Sequence, residues 1–173
     1  MTKTERAVPN TKAPTAIDHG EIDVLATYAR ATHLLERLHR RLHDIVKAEF
    51  DGRGYEAITA SQALMIFNIG DQELAARELR ARGYYLGSNV THNLKKLVEG
   101  GYVSSRPSEV DRRTVRICLT KRGRAVREIV LELFAKQARG ILHKADLDAN
   151  QLWHLTQSLA KIDRFWSEDM YDV

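Results

Sequence analysis

The sequence predicts a mainly α-helical fold with one small β-hairpin. Apolar residues recur at steps of three and four over long stretches near both ends of the 173-residue chain, which is the period of an amphipathic helix. Shorter stretches of the same period, separated by glycines, fill the middle of the chain. Alternating apolar residues flank a polar tip within residues 102–120, a pattern typical of two antiparallel strands.

The composition excludes several classes of protein. Apolar residues make up 43% of the chain and charged residues 29%, an ordinary balance for a soluble domain. No apolar run reaches the roughly 18–20 residues of a membrane span, so no membrane partner is expected. The first twenty residues contain no apolar core of a secretory signal, and the single cysteine, Cys118, excludes an intrachain disulfide. We therefore expect a cytoplasmic protein.

The first half of the chain divides into an arm and three helices. Residues 1–18 contain two prolines and no apolar period, which predicts a flexible arm. A long helix over 21–50 follows, ending before the Asp51-Gly52 pair. Thr59 followed by Gln62 is a capping-box signature that opens a short, buried helix over 59–69. Gly70-Asp71 ends that helix, and the apolar residues Leu74, Ala75 and Leu79 predict a third one reaching Gly83.

Ser88 can cap a fourth helix that runs to Val98 or Glu99 and ends at Gly100-Gly101. Its inner face carries Val90, Leu94, Leu97 and Val98. Its outer face carries Asn89, Thr91, His92, Lys95 and Lys96. Short polar side chains near a helix N-terminus, with lysines one turn later, suit base edges and phosphates in a DNA major groove. An ordinary solvated helix face is the alternative interpretation.

The predicted hairpin has a strongly basic tip. Residues 104–116 carry Asp111, Arg112 and Arg113 between the two apolar runs. From Lys95 to Arg127 there are ten basic and three acidic residues, a local charge of +7 within a chain whose net charge is +4. A localised field of this kind favours a polyanionic partner, and double-stranded DNA in particular. A solvated charged surface is the alternative.

Two long helices complete the chain. Thr120 caps the first, and Asp148 with Gln151 opens the second. The apolar stripe of the last helix comprises Leu152, Leu155, Leu159, Ile162 and Trp166. The helices over 21–50 and 121–170 have more apolar length than a small DNA-binding module can cover, which favours a symmetric dimer through these helices. An intrachain helical layer is the alternative.

From about Ala26 to Trp166 the chain resembles the MarR family of bacterial transcription regulators. The resemblance rests on the helix pair ITASQALMIFNIG and DQELAAREL, the recognition segment SNVTHNLKKLVEGGYV and the wing RPSEVDRRTVRICLT followed by KRGRAV. The segment ARELRARGYYLG is longer than is usual in the family, which affects the register of the base-reading residues. It is similar to an alphaproteobacterial subgroup that includes LdtR-type regulators.

The resemblance implies a winged helix-turn-helix domain over 55–120, flanked by long N- and C-terminal dimerisation helices. It implies a homodimeric regulator, foremost a repressor or a dual regulator, on a pseudo-palindromic promoter site. In that arrangement Arg113, with Arg112, enters a minor groove, and Asp111 supports the wing. The candidate base and phosphate contacts are Ser88, Asn89, Thr91, His92, Lys95 and Lys96.

Members of this family often release DNA when a small aromatic or acidic effector binds. The resemblance assigns the effector site to His39, His43, Leu64, Met65 and Asn68. The simpler interpretation of two of them is that Met65 is a core residue and that Asn68 is a helix-end residue with a local backbone bond. The i,i+4 spacing of His39 and His43 makes metal sensing a lesser alternative to effector binding. Cys118 beside Arg116 makes thiol sensing another. We expect no metal site and no cofactor.

An enzyme is not expected, because the sequence has no glycine-rich phosphate loop and no G-x-S-x-G elbow. A helical protein-interaction scaffold that binds no DNA is the second class of function to distinguish.

Overall fold

A computed structural model describes residues 23–81, 87–111 and 114–169. The predicted N-terminal arm lies outside these residues. The chain divides into two compact units, residues 1–40 and 41–173. The helices are α1 Val24–Gly52, α2 Ala60–Ile69, α3 Ala76–Ala81, α4 Gly87–Glu99, α5 Lys121–Lys144 and α6 Ala149–Asp169. The strands are β1 Leu74–Ala75, β2 Val103–Pro107 and β3 Val115–Leu119.

The predicted caps define where three helices begin. The Thr59 hydroxyl accepts the backbone N–H of Gln62, and the Gln62 side chain accepts the N–H of Thr59, so the predicted capping box opens α2. Asp148 and Gln151 exchange the same pair of hydrogen bonds before α6, each at 2.8 Å. The Thr120 hydroxyl accepts the N–H of Gly123 and begins α5. The sequence predictions for these three helix starts are confirmed.

The sheet differs from the predicted two-stranded hairpin. It has three antiparallel strands in the order β1-β3-β2, and Leu74 of β1 pairs with Ile117 of β3. Leu74 and Ala75 were expected within the third helix, which instead begins at Ala76. Pairing of β1 covers the free edge of β3, and the Glu78 carboxylate accepts the Ala75 N–H where the strand meets the helix.

One hydrophobic core lies within residues 46–134. The largest fully buried side chains are Phe50, Met65, Ile66, Ile69, Leu79, Leu97 and Ile117. The inner face of α5 closes this core through Val126, Val130 and Leu133. Arg53, just after α1, bonds Glu49 at 2.8 Å and Glu132 of α5 at 2.9 Å. The core therefore holds the end of α1, the three short helices, the sheet and the first half of α5 together.

The terminal apolar stripes are exposed. On α6, Leu155 is 47% exposed, Leu159 37% and Trp166 38%, and no α6 side chain belongs to the core formed by the described residues. In the 23–40 part of α1, Val24 and Leu25 are about three-quarters exposed. Among the described residues, no helix is long and apolar enough to cross a membrane.

Candidate nucleic-acid interface

Helix α4 has one buried face and one open face. Val90 and Leu97 are each 1% exposed, which anchors the helix on the core. The predicted contact residues Thr91, His92, Lys95 and Lys96 are all exposed on the other face. Ser88 and Asn89 belong to the first turn of α4, but their side chains lie outside the described part of the structure. The four described side chains thus share a surface that a polyanion can reach.

A glycine ends α4 and turns the chain into the wing. Gly101 has φ 70°, the left-handed conformation that favours glycine. The Tyr102 N–H donates to the Leu97 carbonyl and the Gly101 N–H to the Val98 carbonyl, each at 2.9 Å, which is the Schellman arrangement. Strand β2 therefore starts directly after the turn that ends α4.

The start of α5 is joined to this turn. The Thr120 hydroxyl donates to the Gly101 carbonyl at 2.7 Å, and Arg122 donates to the Gly100 carbonyl at 2.9 Å while its guanidinium lies 4.3 Å from the centroid of the Tyr102 ring. A Cβ on Gly123 would lie 2.1 Å from the Tyr102 carbonyl oxygen. The glycine that the sequence has after Leu119-Thr120 is thus required for the close approach of α5 to the α4 turn.

The wing is a paired hairpin in which Asp111 and Thr114 are hydrogen-bonded to each other. Strands β2 and β3 pair from Val103 opposite Leu119 to Pro107 opposite Val115. Near the tip, the Thr114 hydroxyl and backbone N–H both donate to Asp111, to its carboxylate and its carbonyl oxygen, at 2.8 Å each. The Asp111 carboxylate is therefore in a position to support the wing turn. Arg112 and Arg113 lie outside the described residues.

Sequence reasoning missed an ion-pair cluster at the stem of the wing. Arg106 of β2 donates from Nε and Nη2 to the two carboxylate oxygens of Glu73, both at 3.0 Å. Arg116 of β3 lies 3.9 Å from the same carboxylate. Glu73 is 33 residues from Arg106 in the chain, and only the unpredicted strand β1 brings it to the sheet.

The predicted effector residues have different surroundings. Met65 is fully buried in the core, so it would meet a ligand only if the core beside α2 opened. Leu64, Asn68 and His43 are half-buried, whereas His39 is exposed on α1. These five residues stay a prediction.

The residues considered for metal or thiol sensing lie on α1 and β3. Within the described residues, no group of three or more His, Cys, Asp or Glu side chains could hold a metal ion. The half-buried Cys118 thiol lies 3.0 Å from the Ser104 hydroxyl across the wing strands.

Comparisons with known proteins agree with this geometry. A family model described as a winged helix DNA-binding domain matches residues 58–123. The chain is 33% identical over 144 residues to the exopolysaccharide II synthesis transcriptional activator ExpG of Rhizobium meliloti strain 1021, covering 83% of this chain and 74% of that protein.

Solved structures share the fold at lower identity. A mutant of MarR from E. coli, complexed with operator DNA, has 23% identity and a TM-score of 0.64, covering 81% of this chain and 98% of that one. Bordetella bronchiseptica BpsR, whose DNA binding is regulated by 6-hydroxynicotinic acid, has 20% identity and a TM-score of 0.62, covering 76% of this chain and 91% of that one.

The described residues form a buried helix pair, a helix with one open face and a basic wing. Together with the matching family model, these features define a winged helix DNA-binding protein. Within that class, the 33% identity to ExpG and the shared architecture identify the family. The chain belongs to the MarR family, and it is a DNA-binding transcription regulator of the MarR type.

Proposed function

We propose that the protein binds a pseudo-palindromic promoter site as a homodimer, with two α4 helices in successive major grooves and two wings in the adjacent minor grooves. One observation carries this proposal: a complete winged domain is joined to helices whose apolar stripes are exposed in the single chain. A twofold dimer would cover those stripes and present two identical DNA-binding faces to a twofold-symmetric site.

The apolar stripe of α6 supports the dimer. Leu155, Leu159 and Trp166 are between 37% and 47% exposed, although they recur at steps of four and seven along one helix. Covering an apolar side chain is worth about 25 cal/mol for each Å² removed from water. A second copy of α6 supplies a matching surface, since the contact between two copies is self-complementary.

The sign of regulation follows from where the dimer binds. On a site that overlaps the promoter it represses by excluding polymerase, and on an upstream site it activates. ExpG is named a transcriptional activator, which supports activation, as well as repression, as a function of this protein. Such a regulator acts in the cytoplasm, beside the chromosome.

A small aromatic or acidic effector releases the dimer from DNA in this proposal. Regulation of BpsR by 6-hydroxynicotinic acid supports an effector of this chemical class. The effector shifts the equilibrium only if it binds the DNA-free geometry more tightly than the DNA-bound one. Adding benzoates and pyridine carboxylates, including 6-hydroxynicotinic acid, to a preformed complex tests this by fluorescence anisotropy. If none of these compounds lowers DNA affinity, this effector class is wrong.

Selection from a randomised duplex pool tests DNA binding by the purified full chain. We expect one recovered sequence with twofold symmetry, bound by one dimer. The affinity of the protein for this duplex should fall steeply between about 50 and 200 mM salt. Sedimentation of the complex gives the stoichiometry. A protein-interaction scaffold would recover no duplex and show no salt dependence.

Substitution of the wing-tip arginine tests groove contact. Arg113→Ala should weaken binding to the selected duplex by more than about 1 kcal/mol and reduce the salt slope by roughly one. Lys144→Ala, which removes the same charge at the far end of α5, is the control and should change neither. Equal effects of the two variants would mean that Arg113 contributes only to overall charge.

A further inference from the structure

Two arginines face each other at the stem of the wing. Arg106 of β2 is the direct cross-strand partner of Arg116 of β3. Like charges in directly opposite positions destabilise a strand pair. The Glu73 carboxylate relieves this repulsion, because it bonds Arg106 through two N–H groups at 3.0 Å and lies 3.9 Å from Arg116.

Glu73 is held in place by the sheet. It directly precedes β1, whose Leu74 pairs with Ile117 and is itself 3% exposed. The Glu73 side chain is 27% exposed, compared with 63% for the Arg106 side chain. The carboxylate is therefore the more buried member of the pair, and the arginine on the projecting wing is the more exposed one.

The cluster borders a charged cavity of about 410 Å³ between α3 and the wing. Another carboxylate of this cavity, Glu109, is only 3.8 Å from Arg106, but its side chain is 90% exposed. The hydrogen bond from Arg106 lowers the pKa of Glu73, and the same bond raises the pKa of Arg106. Both groups are thus ionised at neutral pH, and the fork-shaped bidentate geometry gives the contact a defined direction.

We propose that Glu73 is a specificity-determining positioning residue for DNA binding. By holding Arg106 and Arg116 against the body of the winged domain, it sets the direction of the wing and keeps two cations away from phosphates. Without the carboxylate, both guanidiniums are attracted to any duplex, whatever its sequence. This inference rests on the proposed contact between the wing and DNA.

The proposal and simple charge counting predict different ratios of the two dissociation constants for Glu73→Gln. Removing a negative charge near DNA should tighten binding to every duplex equally if only net charge matters. If Glu73 positions the wing, the selected duplex loses its advantage over a scrambled duplex of the same composition. The ratio of the two dissociation constants therefore separates the two explanations.

Fluorescence anisotropy with the full-length protein and these two duplexes tests the inference. For Glu73→Gln we expect the ratio to fall by about fivefold or more, the amount that a coupling of about 1 kcal/mol gives. Binding to the scrambled duplex should tighten and its salt slope should rise by roughly one. Glu109→Gln removes the same charge beside the same arginine, Arg106, and should leave the ratio within about twofold.

Arg106→Gln tests the same contact from the other side and remains usable if Glu73→Gln folds poorly. It should also lower the ratio, and the double variant Glu73→Gln with Arg106→Gln should discriminate no worse than Arg106→Gln alone. A ratio unchanged in both single variants, or lowered equally by Glu109→Gln, overturns the role of Glu73 and leaves DNA binding intact. Failure of the wild-type protein to prefer any duplex overturns the proposed function and this inference together.

Discussion

The winged domain and helix α6 bury their apolar side chains to very different extents. In the winged domain, Ile66 and Ile117 are 0% exposed and Leu97 is 1% exposed. On α6, Leu155 is 47% exposed and Trp153 59%. The two regions have the same kind of helical period, so sequence pattern does not distinguish them. The difference is in what covers the apolar face: the apolar side chains of the winged domain cover one another, whereas those of α6 stay exposed among the described residues.

Helix stability gives this comparison a physical basis. Most of the stability of an amphipathic helix comes from packing of its apolar face rather than from helical propensity. Helix α6 has the Asp148–Gln151 cap at its start, but little buried surface along its 21 residues. The folding of the winged domain should therefore be independent of protein concentration, and the ordering of α6 should depend on it.

The largest expected effect lies where the winged domain meets α5. Gly123→Ala puts a Cβ 2.1 Å from the Tyr102 carbonyl oxygen, and backbone atoms on both sides cannot move apart cheaply. We expect a loss of about 3 kcal/mol or more in the free energy of unfolding, at every protein concentration. Urea denaturation measures it.

Gly140→Ala on the same helix is the matched control, because nothing lies within 4 Å of the added Cβ. It should stabilise α5 by about 0.5–1 kcal/mol. Equal destabilisation by both substitutions would mean that the short contact is not the cause.

A smaller effect, and one that depends on concentration, is expected on α6. Leu159→Asp puts a charge into the apolar stripe and should weaken the proposed dimer by at least about tenfold, or 1.4 kcal/mol. Sedimentation equilibrium measures this, and urea unfolding of the winged domain should be unchanged.

Ser158→Asp adds the same charge at the neighbouring exposed position and should leave the dimer intact. If Leu159→Asp instead destabilises the chain equally at all concentrations, the α6 stripe is covered within one chain and the contrast between the two regions is wrong.

The smallest effect concerns a single cap. Thr120→Ala removes the acceptor for the Gly123 N–H and the donor to the Gly101 carbonyl, and we expect a loss of about 1 kcal/mol in the free energy of unfolding. Thermal unfolding should show it with no change in dimer affinity. Thr156→Ala removes an exposed hydroxyl that donates to the Leu152 carbonyl in the preceding turn of α6, and it should cost much less.

Local signals predicted most of this fold. The caps at Thr59, Thr120 and Asp148 are short-range hydrogen-bond patterns that three or four residues specify on their own. Strand β1 was missed because Leu74 and Ala75 also fit the helical period, and only the distant β3 edge selects the strand.

The candidate nucleic-acid interface likewise has one part that the sequence predicts and one part that it does not. The open face of α4 follows from its period, so Thr91, His92, Lys95 and Lys96 could be named from the sequence, and the structure has them exposed. The contact between Glu73 and Arg106 could not be predicted, because it depends on the register of β2 against β3 and on a strand that the sequence does not indicate. Long-range pairing is not encoded in any local pattern.

The turn at Gly101 also fixes the spacing between the end of α4 and the start of α5. The Thr120 hydroxyl donates to the Gly101 carbonyl and accepts from the Gly123 N–H, and Arg122 donates to the Gly100 carbonyl. These hydrogen bonds therefore span the junction, while Val90 and Leu97 hold the rest of α4 on the core. Helix α4 has 13 residues, so its N-terminal end is roughly 20 Å from this junction. A change of about 5° in the direction of α4 at the junction would displace that end by roughly 2 Å, so the precision of the turn limits how accurately the open face of α4 is positioned.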